Sequence, residues 1–251
     1  MSYPLDIPNL TEEQIAKIPS HARKRLLLYL QELQTKRRYN KIASLYPDEG
    51  PLRRDLYGKH LEFFEAGAKY QQRLSMSGNR CGKTLKAGYE TTMHLTGDYP
   101  EWWTGKVFPH PTEGWAAGNT AETTRDVVQL ELLGPMSDIG SGFIPKHKIK
   151  KIVRKAGGVM DAVDKIEVEN KFGGASVLGF KQYSQGRKAF EGTAKHFIWF
   201  DEECEFDVYG EALMRVLTTK GVVYTTFTPL KGLTELVMSF MPQEYTFKEA
   251  A

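Results

Sequence analysis

The stretch LSMSGNRCGKTLKAG, Leu74 to Gly88, decides how this chain of 251 residues is read. A short apolar strand, QRLSM, runs into a glycine-bearing loop, and a helix is expected from Lys83 to about Leu95. A loop set between a strand and a helix turns backbone N–H groups and the positive helix end toward anionic oxygens. In that context Gly82 lets the backbone approach phosphates. Lys83 brings a positive charge to the β- and γ-phosphates, and Thr84 offers a hydroxyl to Mg²⁺. Ser77 stands where the pattern G-x-x-x-x-G-K-[ST] wants its first glycine. Gly78 next door is expected to supply the flexibility that Ser77 lacks. Ser77, Gly78, Asn79, Arg80, Cys81, Gly82, Lys83 and Thr84 are therefore the candidate nucleotide contacts.

Outward from the loop, strand-like and helix-like stretches alternate. GWAAGN reads as a strand, and TAETTRDVVQLELLG as a helix with Thr120 as its cap and Gly134 as its stop. DKIEVEN and ASVLGFKQY alternate like a hairpin around KFGG. HFIWF is a short, fully apolar strand that ends in Asp201, Glu202 and Glu203. GVVYTTFT is another strand, closed by Pro229, and a helix is expected after KG. This alternation predicts an α/β fold with a mostly parallel sheet covered on both faces. Ahead of it, residues 1–56 read as a helical, basic segment. SHARKRLLLYLQELQTKRR places Leu26, Leu27, Leu30 and Leu33 on one helical face, to be packed on the main domain or used as a lid or docking helix. The ATPase-like unit spans 57–241, and residues 242–251 read as a tail or the start of a linker.

An acidic pair at the carboxyl end of a buried strand lies where ligands bind in such sheets. Asp201 would hold Mg²⁺, and Glu202 would orient and deprotonate an attacking water, although Glu203 could also reach it. Thr226 and Thr228, at the end of YTTFTP, could sense the terminal phosphate or could simply reflect the β-propensity of threonine. Phosphoryl transfer also draws on an arginine. Arg80 inside the loop and Arg187 in YSQGRKAFEG are the candidates.

The rest of the composition sets limits. The chain is 41% hydrophobic and 26% charged, ordinary for a globular domain with a real core. No apolar run approaches the ~20 residues of a membrane span, and the polar N-terminus has no signal-peptide core. Two cysteines, Cys81 and Cys204, make no disulfide framework and fit a reducing compartment. They either fill space or, if close together, make the site oxidant-sensitive. The net charge of +3 permits nucleic-acid contact without arguing for it. The densest basic run is PKHKIKKIVRK, from which Lys148, Lys150, Lys151 and Arg154 are candidates for DNA contact. A charge run is as readily a solvated face, or a face toward another protein.

Taken in order, SGNRCGKT, GRKAFEGT, IWFDEE and TTFTPLKG resemble the ATPase domain of the large terminase subunit of tailed double-stranded DNA bacteriophages, from about Tyr57 to Phe240. The resemblance implies an additional-strand (ASCE, RecA-like) P-loop NTPase fold. It implies a Mg²⁺-dependent ATPase that works in the host cell cytoplasm as a ring, usually a pentamer, on the portal of a procapsid. There it would pump double-stranded DNA inward with a small terminase subunit as partner. It assigns Lys83 and Thr84 to phosphate and Mg²⁺, Asp201 to Mg²⁺, Glu202 to catalysis, and Thr226 with Thr228 to coupling. Arg80 becomes the nucleotide-responsive loop arginine and Arg187 the candidate finger on a neighbouring subunit. His60, in KHLEFF, stands where the family often has an adenine-reading glutamine. The C-terminal nuclease domain of the family has no room before Ala251, so an isolated ATPase domain without DNA cleavage is expected. The competing readings are a helicase-like or repair P-loop ATPase, a scaffold that binds nucleotide without turnover, and a metal nuclease built on the three acidic residues.

Overall fold

The computed structural model describes residues 19–241. The expected tail 242–251, and residues 1–18 of the expected N-terminal segment, lie outside the described residues. The first element is helix α1 (Ser20–Arg38), followed by α2 (Gly58–Lys69), β1 (Gln72–Met76), α3 (Lys83–Thr96) and β2 (Glu113–Gly118). Next come α4 (Ala121–Thr123), a π-helical stretch Thr124–Gln129, and α5 (Leu130–Leu133). The remaining elements are β3 (Ile149–Arg154), β4 (Val163–Glu169), β5 (Ala175–Gln182), β6 (Phe197–Asp201), α6 (Phe206–Val216), β7 (Val222–Phe227) and α7 (Glu235–Ser239).

Seven strands form one sheet in the order β1-β7-β6-β2-β5-β4-β3. Strands β1, β7, β6, β2 and β5 run parallel, and β4 and β3 complete the sheet antiparallel. Strand β7 lies between β1, which feeds the loop, and β6, which ends in Asp201. That intervening strand is the additional-strand order that the resemblance implied.

Alternation along the strands sends side chains to two cores. Ala116, Phe197, Trp199, Val222 and Tyr224 pack with Phe63 and Phe64 of α2 and Ala87 and Met93 of α3. Ala117, Ile198, Phe200 and Val223 pack with Val208, Tyr209 and Ala212 of α6. Because β6 and β7 are buried on both faces, they read as continuous apolar runs. Asn170 and the glycine pair Gly173 and Gly174, both in the left-handed region, turn β4 into β5.

The N-terminal helix partly departs from its expected face. Leu26, Leu30 and Leu33 are half-buried, but Leu27 is 60% exposed. Its C-terminal end is anchored by Arg38 and Tyr39, which both donate to Asp138 at 2.8 Å. Ile42 and Tyr46 already belong to the main core. None of the described helices is long and apolar enough to cross a membrane.

Candidate nucleotide-binding site

The loop 77–82 leaves β1 at Ser77, whose N–H donates to Phe227 O at 3.3 Å. Arg80 and Gly82 both take left-handed backbone, with φ of 62° and 69°. Gly82 is doubly constrained, since a Cβ there would stand 2.7 Å from His60 Cε1. Gly78 is not in the left-handed region, and an added Cβ would meet only Cys81 Sγ at 4.0 Å. The loop thus turns on Arg80 and Gly82, and Gly78 does not make up for the serine at 77 through backbone conformation.

Three groups converge on the loop. Lys83 Nζ donates to Ser77 O at 3.0 Å, to Gly78 O at 2.7 Å and to Thr228 Oγ1 at 2.9 Å. Thr228 in turn donates to Asn79 Oδ1 at 2.9 Å, which ties the end of β7 to the loop. Thr84 Oγ1 donates to Asp201 Oδ1 at 3.2 Å, and Thr226 Oγ1 reaches the same oxygen at 3.1 Å. Trp199 Nε1 donates to Thr226 Oγ1 at 3.0 Å and fixes that hydroxyl. The parallel register that sets Asp201 beside Thr226 explains why the two chain-distant residues meet. Burial pushes the Asp201 carboxyl up to about 6, against the hydrogen bonds from Thr226 and Thr84. Thr84 and Asp201 offer the hard oxygen donors that Mg²⁺ takes. Among the described residues no cluster of three or more His, Cys, Asp or Glu could form an all-protein metal cage.

The two glutamates separate. Glu203 accepts a hydrogen bond from Thr234 Oγ1, the cap of α7. Glu202 has left-handed backbone, φ 75°, pinned by its N–H donating to Thr226 O at 2.8 Å. Its carboxylate has no hydrogen-bond or ion-pair partner among the described residues.

The two arginines differ as well. Arg80 is exposed on the loop. Arg187 is 59% exposed, and its Nε donates to Glu211 Oε2 on α6 at 2.9 Å, with no contact to the loop or Asp201. His60 lies against the loop, with Tyr46 OH 2.8 Å from Nδ1 and Cys81 O 3.2 Å from Nε2. Cys81 is exposed and Cys204 is buried in the core on the other side of the sheet, with no contact between them. In the basic stretch, Lys148 pairs with Asp98, Lys150 with Glu169 and, at 3.6 Å, Arg154 with Asp161. Lys151 alone of the four candidates has no ion-pair partner among the described residues.

Sequence reading missed a buried staple beneath the loop. Arg73 of β1 donates to both Glu90 oxygens, at 2.9 and 2.6 Å, and to Phe63 O at 2.7 Å. His94 Nε2 lies 3.2 Å from the same carboxylate. Burial works to raise the Glu90 carboxyl, but Arg73 and His94 together outweigh it and hold it below its ordinary value. The strand and the helix that flank the loop are thereby locked together. The available signal was an arginine at an inward position of β1, where Arg73 and Ser75 are buried and Gln72 and Met76 are exposed.

Comparison with known proteins gives the chain a family. The family described as "Terminase large subunit, T4likevirus-type, N-terminal" matches residues 74–251. The large terminase subunit of Salmonella phage P22 is 35% identical over 205 residues, covering 74% of this chain and 41% of that one. The large terminase of the thermophilic bacteriophage D6E overlaps with a TM-score of 0.48 at 12% identity, covering 68% of this chain and 38% of that one. The same D6E protein in complex with ADP gives 0.46 at 12% identity, over 68% and 37%. With a glycine–lysine–threonine loop, an acidic strand and an intervening β7 in one sheet, and the family matching most of its length, this chain belongs to the large terminase subunit family, in its N-terminal part.

Proposed function

We propose that this chain is an ATP-hydrolysing motor domain whose turnover drives double-stranded DNA into a procapsid. The observation that carries the proposal is the meeting of Lys83, Thr84, Asp201, Thr226 and Thr228 through hydrogen bonds at the carboxyl ends of β1, β6 and β7. ATP is held by the loop N–H groups and by Lys83, which leaves the loop carbonyls for the β- and γ-phosphates. Thr84 and Asp201 would hold Mg²⁺, which when bound supplies positive charge at the phosphates. Glu202 orients a water, takes its proton as the oxygen attacks the γ-phosphorus, and the bond to the ADP oxygen breaks. Glu203, held by Thr234, is left to position the turn.

Thr226 touches Asp201 and Thr228 touches Lys83, so the end of β7 is bonded to both sides of the phosphate site. This fits a coupling role for both threonines. Arg80 and Arg187 are the candidate arginines for the transition state, Arg187 from a neighbouring subunit of a ring. The chain spans 41% of the length of its P22 relative. The portal, the small terminase subunit, the ring and the host cytoplasm are proposed from family membership. Of the four basic candidates, Lys151 has no ion-pair partner among the described residues and is proposed to meet DNA phosphates.

The test is ATP turnover against protein concentration for wild type, Glu202→Ala and Arg187→Ala. Turnover per chain that rises with concentration and is lost in both variants supports a ring with a shared arginine. Flat turnover with a normal Arg187→Ala moves that role to Arg80. Turnover unaffected by Glu202→Ala sinks the hydrolytic mechanism.

A further inference from the structure

Beside the phosphate loop lies a buried lysine with no hydrogen-bond or ion-pair partner among the described residues. Lys86, in the first turn of α3, is 6% exposed. Its ammonium has no hydrogen bond or ion pair among the described residues and lies 4.8 Å from the centroid of the Phe63 ring. By contrast Lys83 has three oxygen acceptors and Arg73 has Glu90. An unpaired charge away from water is strongly unfavourable. Burial, with Lys83 and Arg73 nearby, accordingly pushes the Lys86 amine below its ordinary value. A second group is orphaned close by, since Ser77 Oγ is buried without a hydrogen-bond partner.

Both residues line one groove of about 1290 Å³, shared with His60, Phe63, Cys81 and Gly82. The groove runs along α2 and the free edge of β1. Asp201, Thr226 and Thr228 lie to the other side of Lys83, toward β7 and β6. A triphosphate whose terminal phosphate faces those residues sends its nucleoside into the groove.

We propose that Lys86 donates a hydrogen bond to an acceptor on the nucleobase and that it makes the site accept guanine as readily as adenine. An ammonium is a donor only. Guanine presents two adjacent acceptors, N7 and O6, where adenine presents N7 beside a donating amine. His60 does not supply the acceptor that an adenine amine needs. Cys81 O can only accept, so Nε2 carries the proton and donates to it, and Nδ1 is occupied by Tyr46 OH. The inference rests on the phosphate-loop reading given above.

The experiment is competition binding of ATP, GTP and inorganic tripolyphosphate, each with Mg²⁺, to wild type, Lys86→Met and Lys86→Arg. Wild type is expected to bind GTP at least as tightly as ATP. Lys86→Met, which keeps an unbranched side chain and removes only the charge and the donor, should weaken GTP about tenfold, the loss of one charge-assisted hydrogen bond. It should weaken ATP less and leave tripolyphosphate unchanged, and Lys86→Arg should restore GTP. A wild type that prefers ATP tenfold or more overturns the proposal, and that arm decides even if Lys86→Met does not fold. Equal weakening of all three ligands places the cation on phosphate, and no change in any makes it core filling, so either result overturns it. If wild type binds tripolyphosphate but not nucleotides, this inference fails and the loop reading stands. If it binds none of the three, both fail.

Discussion

The two ends of the sheet solve different problems. On the parallel side, β6 and β7 are wholly buried, and the buried Arg73 is matched to Glu90 across the fold. The Arg73–Glu90 pair there is 5% and 0% exposed. On the antiparallel side, no position of β3 is fully buried, and β4 mixes buried and exposed positions. The Lys150–Glu169 pair there is 52% and 47% exposed. One chemical pairing is thus a structural necessity in one half and a solvated ornament in the other. The parallel half holds the proposed catalytic groups at fixed distances, and the antiparallel edge carries its charge in solvent.

That contrast can be broken by experiment. The largest effect is expected at the carboxyl ends of the parallel strands, where Glu202→Ala should lower ATP turnover by about 10³-fold. Nucleotide affinity should stay near wild type, and phosphate release measured beside equilibrium binding would show it. Next comes the staple. Arg73→Ala should cost about 3–5 kcal/mol, because it leaves Glu90 charged and buried. Lys150→Ala should stay within about 0.5 kcal/mol. Urea unfolding of the two variants compares them directly, and equal losses would erase the distinction between the two halves.

A smaller effect concerns Asp201, pushed up to about 6. Without metal, the folded protein holds this proton where the unfolded chain has released it. The residue's contribution to stability is therefore present below its ordinary carboxylate range and is lost as pH rises toward about 6. Mg²⁺ needs the carboxylate, so Mg²⁺ affinity should fall about tenfold for each pH unit below that value. Asp201→Asn should remove the pH dependence, and a flat wild-type profile from pH 5 to 7 would contradict the burial argument. The smallest effect is at the edge. Lys151→Glu should leave stability almost unchanged while reducing the salt slope of DNA binding by about 1. An unchanged slope would take Lys151 off the DNA path.

The same contrast decides what the sequence disclosed. HFIWF and VVYTTF announce doubly buried strands because both faces demand apolar residues. The β4–β5 hairpin announces itself through its glycines and its alternation. Strand β3 was hidden inside the basic run IKKIVR, because bulges between Ile149 and Lys151 and between Val153 and Arg154 break its two-residue period. Leu27 misled because membership of an apolar helical stripe does not guarantee a neighbour to bury it. At the site, Lys83, Thr84 and Asp201 stood out from spacing and strand context; a hydrogen bond joins Thr84 to Asp201, and Lys83 donates to Thr228. Which of Glu202 and Glu203 is left without a hydrogen-bond partner was not legible, because it turns on a hydrogen bond from Thr234, a residue 31 positions beyond Glu203. Glu90 and Lys86 were missed because burial of a charge is a tertiary fact, and Arg73 was signalled only by its inward place on β1.

The backbone at Glu202 sets a trap for anyone who engineers this domain for robustness. A side chain held at φ 75° works against the fold by about 1 kcal/mol or more, and glycine would relieve it. A screen that ranks variants by melting temperature alone would therefore favour Glu202→Gly. It would select the toughest molecule in the library and, in the same step, remove the carboxylate that the proposed hydrolysis needs.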